Sequence, residues 1–318
     1  MALGLLSSAA TEWHETFGSD PATRGWSIRG DSSLFAWDAA RGHLAATWDS
    51  SRTNTYFYRP LGTVLSRSDP FRFAFRIQLD EIRTAAESGT FQLAVGFLRR
   101  DRAFQGNFLR GSGVHPTTGP RDLVEFNYFP GAGAISPTFA AVAIGTNNLR
   151  WTTLHVFPVE LTTGRPYDVS VAFDPVDQSL QLRASRDLEI VAAESVPLHA
   201  GFSDFRVDAF SVTSFSGAGQ PANYAGSLLA RGWVDDIVVT FPEPPRPALQ
   251  SAGRGTVKLP NHAAANGWIP FLERAKGDAP RSWETIPSTL RMEGSQWILE
   301  DSHPPADQGL YQVRLERP

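Results

Sequence analysis

The chain has 318 residues, 42% hydrophobic and 19% charged, with a formal net charge of −4. That balance excludes a disordered tail and a coiled coil, and without a Lys/Arg block it argues against nucleic acid as a partner. The absence of cysteine removes disulfides, thiolate metal sites and a cysteine nucleophile without deciding the compartment, and no apolar run approaches the ~18 residues of a membrane span.

The opening MALGLLSSAA ends in small residues, as a secretory signal does, but it lacks a basic start and its apolar run is short. Two readings stand for residues 1–11: the remnant of an export signal, or a frayed terminus. The stretch EWHETFG follows, then TYFYRP, with Tyr56 and Tyr58 on one face and Phe57 on the other. FRFAFRIQLD places Phe71, Phe73, Phe75, Ile77 and Leu79 on one face and Arg72, Arg76, Gln78 and Asp80 on the other. This is the pattern of a half-buried antiparallel strand. LDEIRTAAES is the one place expected to hold a helical turn or two. TFQLAVGFL, LVEFNYF, LRWTTLHVF, YDVSVAF, SLQLRAS and FRVDAFSVTSF add strands, separated by Gly, Pro, Asn and Asp clusters such as GNFLRGSGVHPTTGPRD and PGAGAISP. The last strand, GWVDDIVVTF, reads by alternation with Asp235 beside Trp233, Ile237, Val239 and Phe241. Many closely spaced strands without βαβ alternation predict an all-β sandwich of two antiparallel sheets over residues 12–242. Residues 243–255, PEPPRPALQSAGR with the following Gly255, read as a stiff Pro/Gly linker. Residues 256–318 read as a small C-terminal β module of short strands.

The first domain resembles the concanavalin A-like and LamG-like jelly rolls of exported bacterial proteins. The resemblance runs from about Thr11 to Pro242 and rests on ETFGSDPATRGW, LAATWDSSRTNTYFYRPLG, DLVEFNYFPGAGAISPT and GWVDDIVVTF. The tail is similar to small C-terminal modules of exported bacterial proteins through LERAKGDAPRSWETI and WILEDSHPPADQGLYQVR. The resemblance implies a jelly-roll β-sandwich that is secreted or held at the cell surface. It does not fix an activity, because one fold hosts many functions.

Enzyme signatures are missing: there is no G-x-S-x-G elbow, P-loop, H-E-x-x-H or EF-hand loop. Jelly-roll glycosidases need two carboxyls facing one sugar, and no E-x-D-x-(x)-E run is present. Asp187 and Glu189 share a face by alternation, with Glu194 past the strand end, which reads as a solvated hairpin edge. Glu125 alternates with Asn127, opposite Val124, Phe126 and Tyr128. The pair suits either a polar outer face or recognition of sugar hydroxyls. Tyr56, Tyr58 and Trp151 are the aromatic candidates for stacking on sugar rings, against a core that also claims aromatic residues. The expectation is a non-enzymatic protein that binds a glycan or cell-surface polysaccharide through Tyr56, Tyr58, Glu125, Asn127 and Trp151. The alternatives are a polysaccharide-degrading enzyme (a glycoside hydrolase or lyase) and a purely structural or adhesive module.

Glu15, between Trp13 and Phe17, repeats the anomaly of Asp235 on an apolar face. First and last strands of jelly rolls run side by side, so the two acids could meet and repel. One structural calcium would resolve that conflict, with Glu15 and Asp235 as ligands and carbonyls near Gly18 or Asp20 completing its shell. Similar jelly rolls hold calcium at this seam. The competing reading is that both acids lie at wet strand ends or pair with an arginine.

The Pro/Gly composition between residues 243 and 255 carries a first expectation. Limited proteolysis of the whole chain should cut there first and leave a stable large fragment. A first cut inside FRFAFRIQL would overturn this boundary.

Overall fold

The computed structural model describes residues 10–85, 91–106, 108–110, 121–132, 136–146, 151–218, 226–242, 250–253, 255–260, 269–275, 283–293, 296–305 and 311–316. Residues 1–9 of the signal-like segment and 243–249 of the linker lie outside them. Contacts within the chain divide it into two compact units, Met1–Pro242 and Glu243–Pro318.

The first unit is built from β1 (Ala10–Glu15), β2 (Ser27–Arg29), β3 (Phe35–Asp38), β4 (His43–Asp49), β5 (Thr55–Leu65), β6 (Phe71–Thr84), β7 (Leu93–Leu98), β8 (Leu123–Phe129), β9 (Thr138–Ile144), β10 (Trp151–Val156), β11 (Pro166–Asp174), β12 (Ser179–Arg186), β13 (Glu189–Pro197), β14 (Val207–Ser214) and β15 (Leu228–Pro242). They form two antiparallel sheets. One is eight-stranded in the order β13-β12-β11-β6-β15-β4-β3, with β1 also paired to β15, and the other is seven-stranded in the order β10-β9-β8-β7-β14-β5-β2. The result is an all-β jelly-roll sandwich.

The alternation of β6 is realised, with its Phe71, Phe73, Phe75, Ile77 and Leu79 buried. They meet the inward residues of the other sheet: Phe73 packs edge-on against Phe97 at 5.2 Å and Phe210 at 5.6 Å, and Phe75 against Phe126 at 5.6 Å. Such offset aromatic pairs add ~0.5–1.5 kcal/mol each beyond the area they bury. The helix expected in LDEIRTAAES does not form over its described part, because β6 continues as strand to Thr84. The pairing of β6 with β15 there, Thr84 to Leu228 and Ile82 to Ala230, outweighs local helix propensity. A single α-turn, Arg100–Ala103, instead follows β7.

Two glycines mark where strands crowd. A Cβ on Gly232 of β15 would overlap the Gln78 carbonyl oxygen of β6, and one on Gly96 of β7 would overlap the backbone of β8 at Val124 and Glu125. A side chain at either position would push its neighbour away.

The second unit holds β16 (Gln250–Gly253), β17 (Thr256–Pro260), β18 (Ile269–Ala275), β19 (Trp283–Thr285), β20 (Ser288–Glu293), β21 (Gln296–Asp301) and β22 (Tyr311–Glu316). These make a four-stranded sheet β16-β17-β21-β20 and a three-stranded sheet β19-β18-β22 around a small core of Val257, Leu272, Ile286, Trp297 and Leu299. Part of the stretch read as linker is therefore ordered strand: β16 pairs Gln250 with Lys258 and Ser251 with Val257.

Candidate functional site

The seam of the first and last strands comes first, since the sequence places a metal there. β1 does run antiparallel beside β15, pairing Glu15 with Ile237. Glu15 is fully buried. Its Oε1 accepts from the Phe17 backbone N–H at 2.6 Å and from the Arg24 guanidinium, and its Oε2 accepts from the Trp26 indole Nε1–H at 2.8 Å. Three donors, one of them cationic, already occupy the two oxygens. This is the arginine pairing that competes with the metal in the sequence, and Arg24 lies nine positions along in PATRGW.

Asp235 does not stand where simple alternation puts it. In β15, Asp235 pairs with Arg76 but Val238 pairs with Ala74, so β15 carries one extra residue over that span. Asp236 absorbs it in the left-handed region, at φ 48°, as a β-bulge requires. The bulge reverses the parity of the strand. Ala230 and Val234 are buried before it, and Ile237, Val239 and Phe241 after it. Asp235 therefore shares the outward face with Trp233, not the inward face with Ile237, Val239 and Phe241. Its Oδ1 accepts from the Asp236 N–H at 2.7 Å, while Asp236 pairs with Arg76 at 3.1 Å and Arg76 also with Asp168 at 2.9 Å. Partial burial, with the charges of Asp236 and Glu15 adding to it, pushes the Asp235 carboxyl up to about 6. Among the described residues no group of three or more His, Asp or Glu side chains could hold a metal ion. Glu15 and Asp235 thus do not fit a calcium ion: one is saturated by donors and the other sits across the bulge.

The glycan candidates lie on the other sheet. Register alone brings them to one face, the one turned away from the core between the sheets. Across the strands, Tyr56 is in line with Thr213, Ala94, Asn127, Ala140 and His155, and Tyr58 with Ser211, Gly96, Glu125, Val142 and Thr153. Trp151 pairs with Ile144, which by backbone parity belongs to the same face. The face is not an open aromatic groove, however. Tyr56 is 2% exposed, and its hydroxyl donates to the Ala103 carbonyl at 2.6 Å. Tyr58 is half-buried, with its ring edge-on to Phe104 at 5.0 Å. Glu125 is buried and paired with Arg110 at 2.5 Å, the arginine itself being 0% exposed. Asn127 is 0% exposed, and neither amide atom has a partner among the described residues. The segment Ala103–Arg110 contributes to this cover through Ala103, Phe104 and Arg110.

Where that segment meets the sheet edge, a cleft of about 480 Å³ opens, lined by Arg29, Asn54, Tyr56, Phe104, Gln105 and Phe108 among others. Phe104 is partly exposed there, and the Arg29 guanidinium lies 4.9 Å from its ring centre. Asn54 is held by donating to the Phe108 carbonyl at 2.8 Å and accepting from the Ser216 N–H at 2.7 Å. Sequence reasoning missed Arg110, Phe104, Arg29 and Asn54. The first two fall in or next to a Gly-rich stretch without periodicity, and a loop residue carries no sign of the strand it covers. Asp187 and Glu189 are exposed at the hairpin edge expected for them, with Asp187 and Leu188, at φ 50° and 69°, forming the turn between β12 and β13. Glu194, however, lies within β13 and not past its end, because the pairing with β12 continues to Pro197.

No protein-family model and no curated protein sequence matches this chain. Solved structures do share its architecture. Peanut lectin with a nonapeptide is 13% identical over 74% of this chain and 98% of its own, at a TM-score of 0.47. Lectin II from Ulex europaeus is 10% identical over 74% and 100%, at 0.47. A legume lectin-like domain from Entamoeba histolytica is 9% identical over 73% and 97%, at 0.42. At these identities and scores the likeness carries no argument about this chain, and the all-β sandwich of the first unit rests on its own two antiparallel sheets.

Two outcomes follow from the seam. EDTA should leave the melting curve unchanged. Glu15→Ala, which strands the Arg24 charge and the Trp26 and Phe17 donors, should cost about 3–5 kcal/mol in denaturant unfolding. A chelator-sensitive melting temperature would overturn the first. For Asp235 the folded-state pKa lies above the unfolded value, so the protonated form is favoured by folding. Its contribution is fully present below about pH 4 and is lost as pH rises through about 6. Asp235→Asn should therefore melt above the wild type at pH 7.5, with the difference closing toward pH 4. A pH-independent difference would exclude this titration.

Proposed function

We propose that the sandwich domain binds carbohydrate without turning it over, in the cleft at the edge of its seven-stranded sheet. The observation that carries the reading is the partly exposed Phe104 ring in a cleft rimmed by Arg29, Asn54 and Gln105. An apolar ring face ringed by hydrogen-bonding groups matches a pyranose, which has C–H bonds on its faces and hydroxyls on its rim. Tyr56 forms the back wall, and Tyr58 supports Phe104 from the sheet. Of the residues expected from sequence, Tyr56 lines the cleft and Tyr58 backs Phe104, the stacking surface, whereas Glu125, Asn127 and Trp151 lie on strands further across the sheet.

Hydrolysis of a glycosidic bond asks for two carboxyl groups ~5–9.5 Å apart across the sugar. Glu125 is the one carboxylate on the shared sheet rows, and it is tied to a buried arginine, which supports binding over catalysis. A polysaccharide outside the cell is the ligand that a secreted or surface-held domain of this kind would meet. The C-terminal unit serves attachment or spacing in the same proposal.

The test is a glycan array with the full chain, followed by a reducing-end and unsaturated-product assay on every hit. Binding without product is expected, and Phe104→Ala should weaken it roughly ten-fold. Release of reducing or unsaturated sugars would make the protein an enzyme. Undiminished binding by Phe104→Ala would move the site elsewhere.

A further inference from the structure

Further across the outer face of the same sheet lies a set of polar groups that the fold buries and that find no partner among the described residues. Arg110 uses its Nε on Glu125, while both terminal guanidinium nitrogens have no hydrogen-bond partner among the described residues. Among the described residues, Asn127, two residues from Glu125 on the same face of β8, has neither amide atom bonded, and Thr153, on the same face but two strands away on β10, has an unbonded hydroxyl. Buried polar groups in native proteins are nearly always paired, because an unmade bond forfeits the hydration each group had in water. A fold that needed only an apolar cover over β8 would not keep an arginine and an asparagine there.

The side chains next to Asn127 are small: Ala94 and Ala140 flank it on the adjoining strands. The stretch that carries Arg110 adjoins the cleft. Leu109, which lines the cleft, immediately precedes Arg110.

We infer that the carbohydrate site continues inward as a pocket for an oxyanion, so that the glycan it takes carries carboxylate or sulfate groups on its sugars. This rests on the carbohydrate reading above. The chemistry of the unused groups selects that class. A guanidinium holding one carboxylate at Nε still presents its outer edge, and that edge matches a second carboxylate or a sulfate through paired N–H donors. The Asn127 amide adds a further donor. A cation would be repelled by the outer edge of Arg110, and a lone hydroxyl would accept from only part of it, whereas an oxyanion can accept from both unused nitrogens. Burial also pushes the Glu125 carboxyl upward against the pull of Arg110, which weakens that carboxylate as the arginine's counter-charge.

The experiment compares glycans that differ only in the anion, titrated calorimetrically into the full-length protein. One pair is a galacturonic acid oligosaccharide and its full methyl ester. The other is a sulfated galactan oligosaccharide and its desulfated form. The anionic member of at least one pair should bind about ten- to a hundred-fold tighter than its neutral partner, with the difference shrinking as salt is raised. The pair that shows the preference identifies the oxyanion. Asn127→Leu should melt at or above the wild type, since it removes an unpaired buried amide, yet lose roughly ten-fold of the preference. Replacing the ion pair as a whole, Arg110→Met with Glu125→Met, should abolish the preference. Equal affinity for acid and neutral partner in both pairs, or a preference that survives the double replacement, overturns the oxyanion pocket and leaves the carbohydrate reading standing. Failure of every array glycan and of all four oligosaccharides to bind overturns both.

Discussion

Strand β15 carries more of the eight-stranded sheet than any other, because it pairs with β6 along its length, with β4 over its first half and with β1 over its second. Over 15 residues the twist of paired strands accumulates, and a strand that kept strict alternation could not hold its apolar side chains inward against both neighbours. The extra residue at Asp236 resolves this. It shifts register by one, so that even-numbered residues face the core before the bulge and odd-numbered residues after it. Two acids at the bulge suit the purpose, since aspartate tolerates the left-handed backbone better than most residues. Asp236 then reaches Arg76 on the outer face. The two adjacent aspartates are thus a consequence of sheet geometry and need no bound ion.

The buried glutamate of the first strand belongs to the same construction. Glu15 satisfies the N–H of Phe17, which sits in the left-handed region at φ 50°, and fastens the indole of Trp26. Trp26 in turn stacks on Phe57 at 4.6 Å and meets Trp13 edge-on at 5.9 Å. A carboxylate at this corner ties the incoming chain to the inner face of both sheets. Its cost of burial is offset by three donors rather than by one.

The seven-stranded sheet poses the opposite problem. Its interior strand β8 is buried along all seven residues, yet on the side away from the core it carries Glu125 and Asn127. Glu125 is compensated by Arg110, arriving from a loop, whereas Asn127 and the outer edge of that arginine have no partner among the described residues. Unsatisfied groups on a face that also carries a cleft with an aromatic rim are what distinguishes it from the outer face of the other sheet, where Arg76 pairs with both Asp168 and Asp236 at the surface.

The sequence by itself determined the strands and their facing. Phe71, Phe73, Phe75, Ile77 and Leu79 alternate with polar residues so regularly that no other structure buries them. The same period puts Glu125 and Asn127 opposite Val124 and Phe126. Alternation is a local property, set by the pleat, and can be read without knowing the neighbours. The tertiary structure alone decided the rest, for three physical reasons. Bulges break the period without a marker in composition, so the side on which Asp235 falls depends on what β15 pairs with. Ion pairs such as Arg110 with Glu125 join a strand to a stretch lacking any period, and spacing in sequence says nothing of that meeting. Exposure, finally, is a property of what covers a face. Tyr56 and Phe104 are equally aromatic in the sequence, but the chain folds over the first and leaves the second at the rim of the cleft.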